Sequence, residues 1–70
     1  MSSKKIIGVV SANERLYRCW IQEHGLLSSY YVRVHSIDSI RGREFSEVVN
    51  GYGHDLVGED VKEAAKNRIR

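Results

Sequence analysis

Seventy residues make one domain near the lower size limit, where a chain buries only about 60% of the surface that it exposes unfolded. A lone cysteine excludes an internal disulfide and a cysteine-based zinc site, and eleven Lys and Arg against nine Asp and Glu give a net charge of +2, far from the cationic excess of a dedicated nucleic-acid binder. Among the devices that rescue small domains, these counts leave self-association.

No internal repeat, proline or low-complexity segment divides the chain, which reads as a single α/β domain over 1–70 with a short disordered start at Met1 to Ser3. In "MSSKKIIGVVSANER" the apolar run is too short for a signal-peptide core or a membrane span. The sequence therefore predicts a cytoplasmic protein with Cys19 reduced, and no membrane partner. The run "IIGVV", Ile6 to Val10, is β-branched and unalternating, as in a strand buried on both faces, and is the expected central strand.

Ser11 followed by Glu14 matches a capping box, so a helix is expected over 12–23. Leu16, Tyr17, Trp20, Ile21 and His24 recur at helical spacing, with Trp20 the expected core anchor, and Gly25 stands where a left-handed cap would end the helix. Cys19, beside Trp20, reads as a half-buried structural thiol rather than a nucleophile. After a turn at Leu26 to Ser29, "YYVRV" (Tyr30 to Val34) is broken by Arg33 and reads as an edge or half-buried strand.

A short helical turn around Ile37 to Ile40 then leads through "RGREF" into a third strand, "SEVVNGY". Gly42 supplies the positive φ of that turn, Arg41 and Arg43 project from it, and Phe45 folds back as an anchor. The closing stretch, "GEDVKEAAKNRIR", has Glu59 and Asp60 at its start and Lys66, Arg68 and Arg70 at its end, which suits a helix dipole. Its apolar stripe of Val57, Val61, Ala64, Ala65 and Ile69 is modest in volume.

The expected fold is thus α/β: a small three-stranded, mostly parallel sheet of order 2-1-3 with two helices, a half-Rossmann-like β-α-β-β-α unit. Two strand edges stay open, and one face of the sheet is expected to be thinly covered.

The stretch "VHSIDSIRGREFSEVVNGYG" resembles the superfamily 1 helicase motif in which a helical turn ending in a basic residue and glycine leads through Leu-Glu-Phe-Asp into a buried strand. Arg41 and Gly42 match its Lys-Gly, and Glu44 and Phe45 match its Glu-Phe. Asp38 falls where the family usually has histidine, and Ser46 stands for its Asp. The resemblance covers about twenty residues of the chain. It implies a RecA-like half-domain that touches single-stranded DNA, and the chain is also similar in size and pattern to short orphan proteins of tailed bacteriophages. No "GxxxxGK[ST]" phosphate loop occurs in the sequence, which argues against an NTPase.

Three groups of residues remain as site candidates. Beyond the carboxyl ends of the strands, Ser11, Asn13, Ser36, Asp38, His54 and Asp55 form the expected rim of a small-anion or nucleotide site, with solvated loops and ordinary caps as the plainer reading. Arg41, Arg43, Arg33, Tyr30 and Tyr31 have the guanidinium and aromatic chemistry of either a protein interface or a single-strand contact, and the near balance of charge favours the protein. His54, Asp55 and His35 lack metal-ligand spacing, so no metal, cofactor or catalytic residue is expected. The expected function is a non-enzymatic, phage-like interaction module, a homo-oligomer that binds itself or a host protein in the host cytoplasm. The alternatives are a nucleic-acid-binding accessory protein and a binder of small anions.

Overall fold

In the computed structural model, residues 5–25 and 28–69 are described, so the expectations for Met1 to Ser3, for Leu26 and Leu27 of the turn, and for Arg70 lie outside them. The elements run β1 (Ile7–Val10), α1 (Glu14–Glu23), β2 (Tyr31–Val34), α2 (Ile37–Ile40), β3 (Glu47–Asn50) and α3 (Glu59–Lys66), with 3-10 turns at Ser28–Tyr30 and His54–Leu56. The sheet has order β2-β1-β3, and both pairings are parallel, Ile7 aligning with Tyr31 on one side and Glu47 on the other. The order is the expected one. The helical turn of Ile37 to Ile40 is a third helix, and no antiparallel pair occurs among the described strands.

Side chains alternate across a sheet, so Ile7, Tyr31 and Glu47 share one face with Val9, Arg33 and Val49, while Val10, Val32, Val34 and Val48 share the other. The second face holds the main core, where Val10 and Val34 pack with Ile40 of α2, Phe45, Val57 and Ala65 of α3. Gly8 lies beneath Phe45: a Cβ there would stand 3.5 Å from Cδ1 and Cδ2 of the ring and 3.2 Å from Val34 Cγ2. The first face is covered by α1, with Ile7, Val9 and Ile21 buried and Trp20 reaching Tyr31 at 6.3 Å between ring centroids.

Crossovers of one hand that lead out to β2 and back past β1 to β3 place their helices on opposite faces, and α1 and α2 lie so. Each face therefore carries helical cover, that of α1 being the thinner, with Ile21 its one buried residue. Among the described residues no strand pairs with the outer edge of β2 or β3, apart from the Phe45–Ile69 bridge ahead of β3.

Three local expectations are corrected. The helix starts at Glu14, not Ala12, and its cap is Asn13, whose extended backbone (φ −144, ψ 168) lets Oδ1 accept from Leu16 N at 2.9 Å. Ser11 does not cap: its N–H donates to Val34 O at 3.2 Å, which holds its backbone in the ladder of β1 and β2, and its buried Oγ accepts from no helix N–H. The buried residue of α1 is Ile21. Trp20 sits half-buried at the margin, its ring stacked on His24 at 4.1 Å, and Cys19 is exposed.

Strands and last helix are shorter than expected, Tyr30 lying in a 3-10 turn, Ser46, Gly51 and Tyr52 outside β3 and Ile69 beyond α3, whereas the turn expectations hold. Gly25 and Gly42 have φ of +61 and +71, and Phe45 is fully buried. α3 ends at Lys66, after which the chain turns back to pair Ile69 with Phe45.

Candidate interaction edges and strand-end rim

The five interaction candidates are divided between two edges with β1 between them. Tyr30, Tyr31 and Arg33 belong to the β2 edge, and Arg41 and Arg43 to the turn that leads into β3.

On β2, Tyr31 and Arg33 point to the α1 face and are half-buried, and Tyr30 is exposed. Tyr17 of α1 stands beside both. Burial raises its phenol pKa above the usual value, the Arg33 guanidinium opposes that shift, and the Tyr31 phenol adds to it. Ser11 N donates to Val34 O. Because backbone groups alternate sides along a strand, Val32 and Val34 bond inward to β1, and Tyr31 and Arg33 present their N–H and C=O groups outward.

At the turn, Arg41 and Arg43 are exposed. Arg41 Nη2 lies 3.4 Å from Asp38 Oδ1, and Arg68 Nη1 donates to Arg43 O at 3.4 Å. Arg68 was not among the sequence candidates. It joins Arg41 and Arg43 because α3 brings the chain back beside Phe45, where Phe45 N donates to Arg68 O at 2.9 Å.

The rim residues do not converge on one cavity. Ser11 is fully buried, and its Oγ has no hydrogen-bond partner among the described residues. The loop after β3 closes the space above it: a Cβ on Gly51 would stand 2.5 Å from Ser11 Oγ, and one on Gly53 2.6 Å from Leu16 Cδ1. Asn13 is spent on its cap.

Ser36 Oγ lies 3.4 Å from Ser39 Oγ, which in turn lies 2.7 Å from His35 Nδ1, so this group satisfies itself at the start of α2. Asp38 turns to Arg41. Across the sheet, His54 Nδ1 donates to Gly51 O at 3.2 Å, and its Nε2 lies 3.0 Å from Asp55 Oδ1. Among the described residues, no group of three His, Cys, Asp or Glu side chains is placed to hold a metal, and no helix is long and apolar enough to cross a membrane.

One cavity that the sequence did not announce flanks the other edge. A cleft of about 820 Å³ separates β3 from α3 and is lined by Val48, Asn50, His54, Lys62, Lys66 and Ile69, among others. Its walls come from segments far apart in the chain, so no local pattern pointed to it. Comparison of the chain with protein-family models, with curated proteins and with solved structures finds no match in any of the three.

Proposed function

We propose that this protein is a non-enzymatic interaction module that assembles with itself through the outer edge of β2. The observation that carries this reading is the self-complementarity of that edge. In an antiparallel pairing about a twofold axis at Val32, Tyr31 stands opposite Arg33 of the second copy, and Arg33 opposite Tyr31 of the second copy.

Both are residues whose backbone groups face outward, so each opposed pair can exchange two hydrogen bonds. Both side chains lie on the α1 face, where guanidinium and phenol ring attract one another. Two three-stranded sheets joined in this way form one of six strands, with β2 no longer an edge. Arg33 also discourages indiscriminate pairing, as charges on edge strands do, which favours the register that offers it an aromatic partner.

Sedimentation at micromolar concentration tests the reading. A dimer is expected, with a melting temperature that rises with protein concentration. Arg33→Pro removes an outward N–H while leaving the inward bonds of β2, and should give a monomer. A monodisperse monomer for the unsubstituted chain would overturn the proposal.

The second reading, a single-strand contact, draws support from the gathering of Arg41, Arg43 and Arg68 at the β3 turn. Its test is salt: alanine at Arg41 and Arg43 should flatten the salt dependence of oligonucleotide affinity by about one to two units of slope. Salt-independent or undetectable binding removes it.

A further inference from the structure

The outer edge of β3 is half used. Ser46 N donates inward to Ile6 O, whereas Phe45 N donates outward to Arg68 O, and Phe45 and Ile69 form a parallel bridge. The chain leaving α3 thus lays the first residue of a fourth strand. At the other end of β3, Gly51 N donates to Val10 O. Counted back from Gly51 along the register that aligns Gly8 with Val48 and Val10 with Asn50, alternation leaves Val48 and Asn50 with N–H and C=O groups turned away from β1, the phase slipping by one residue between Ser46 and Glu47. Among the described residues none continues beside them along the track that Ile69 starts.

α3 forms the wall of that track. The cleft of about 820 Å³ between β3 and α3 has Val48 and Ile69 in its lining, with Lys62 and Lys66 one helical turn apart on its α3 side. The Lys62 side chain is only 22% exposed, and its Nζ lies 3.8 Å from Glu59 Oε1, itself almost wholly in solvent. Lys66 makes no ion pair among the described residues. The cleft thus carries two ammonium groups against the one carboxylate of Glu59, which leaves this wall with an excess of positive charge that an anionic side chain would complement.

We propose that β3 and α3 form a strand-addition groove for an extended peptide with acidic side chains at alternate positions. The peptide backbone pairs with Val48 and Asn50, and the side chains on one of its faces reach Lys62 and Lys66. Main-chain bonds of this kind supply affinity, and alternate side chains supply selectivity. The groove lies on the opposite edge from β2, so peptide binding and self-association are separate properties with separate readouts.

The test selects short peptides from a random display library on the intact protein, then titrates a selected peptide into isotope-labelled protein. Selected sequences should carry Asp or Glu at alternate positions, and hydrogen exchange at the Val48 and Asn50 amides should slow on binding. Lys62→Glu with Lys66→Glu should weaken affinity at least about tenfold, and Lys62→Gln with Lys66→Gln should weaken it in the same direction without adding charge. Arg15→Glu, exposed on α1, should leave it unchanged. Selection of peptides without acidic residues, failure to select any that protect Val48 and Asn50, or affinity unaltered by the lysine substitutions would overturn the proposal. Protection of the same amides by raising protein concentration alone would place a second copy in the groove, and would overturn it as well.

Discussion

The hydroxyl of Tyr52 donates a hydrogen bond to a carboxylate oxygen of Glu23, so the loop leaving β3 is tied to the last residue of α1. That bond, with smaller contributions from burial and from the Glu23 charge, raises the Tyr52 pKa above the usual 10.0. Tyr17 is raised in the same direction, by burial first. A phenol whose folded pKa exceeds its unfolded one contributes stability that is complete below the unfolded value and lost as pH rises through the folded value. Urea midpoints should therefore fall as pH is raised through and beyond 10.0, and Tyr52→Phe should fall less steeply. An identical slope in the variant would mean that the tie does not form.

Ile21, rather than its neighbour Trp20, should dominate the stability of α1. Ile21→Ala removes a buried side chain and should cost about 2 to 4 kcal/mol. Trp20→Ala should cost about 1 to 2 kcal/mol, because the indole is half in solvent and loses mainly its stacking on His24 and Tyr31. Denaturant unfolding of the two variants decides the order, and the reverse order would place the indole in the core.

The cap assignment is open to a paired substitution. Asn13→Ala should cost about 1 kcal/mol by freeing Leu16 N–H. Ser11→Ala should be neutral or stabilising by up to about 1 kcal/mol, since it removes a buried hydroxyl that has no partner. A destabilising Ser11→Ala together with a silent Asn13→Ala would restore Ser11 as the cap.

Glycines 42 and 51 should fail for different reasons. Nothing lies within 4 Å of a Cβ built on Gly42, so Gly42→Ala meets only backbone strain at φ +71, about 1 to 2 kcal/mol, and Gly42→Asn should cost less. At Gly51 the strain is steric: the added carbon would stand 2.5 Å from Ser11 Oγ and 2.6 Å from Val9 Cγ1, so Gly51→Ala should lose more stability than Gly42→Ala and be no better as Asn. Thermal melts of the four variants separate the two mechanisms.

Strand order was legible because the unalternating run of β1 demands neighbours on both sides, while Arg33 confines β2 to an edge. The Gly42 turn with its Phe45 anchor was legible because a basic residue, a glycine and an aromatic ahead of a strand leave little choice of backbone. The cap was not, since both Ser11 and Asn13 are good capping residues. What separates them is a tertiary bond, Ser11 N to Val34 O, that no local pattern records. The choice between Trp20 and Ile21 failed for a related reason: adjacent residues exchange burial when a helix rolls, and the roll is set by where the helix starts. The pairing of Ile69 with Phe45, and with it the cleft along β3, depends on where α3 comes to rest.

The cluster that joins Val10 to Ala65 has a consequence for the order of events during folding. Contacts on the α1 face become available once β2 has been made, but the opposite core draws on Ile40, Phe45, Val57 and finally Ala65. The β1 and β3 partners are themselves forty positions apart, Ile7 with Glu47. Such distant pairing slows folding, because loop entropy must be overcome before the contacts reward it. While the chain is being synthesised, the underside of β1 stays incompletely covered until α3 has emerged, and a nascent chain halted before Ala65 should be held by chaperones or lost to proteases.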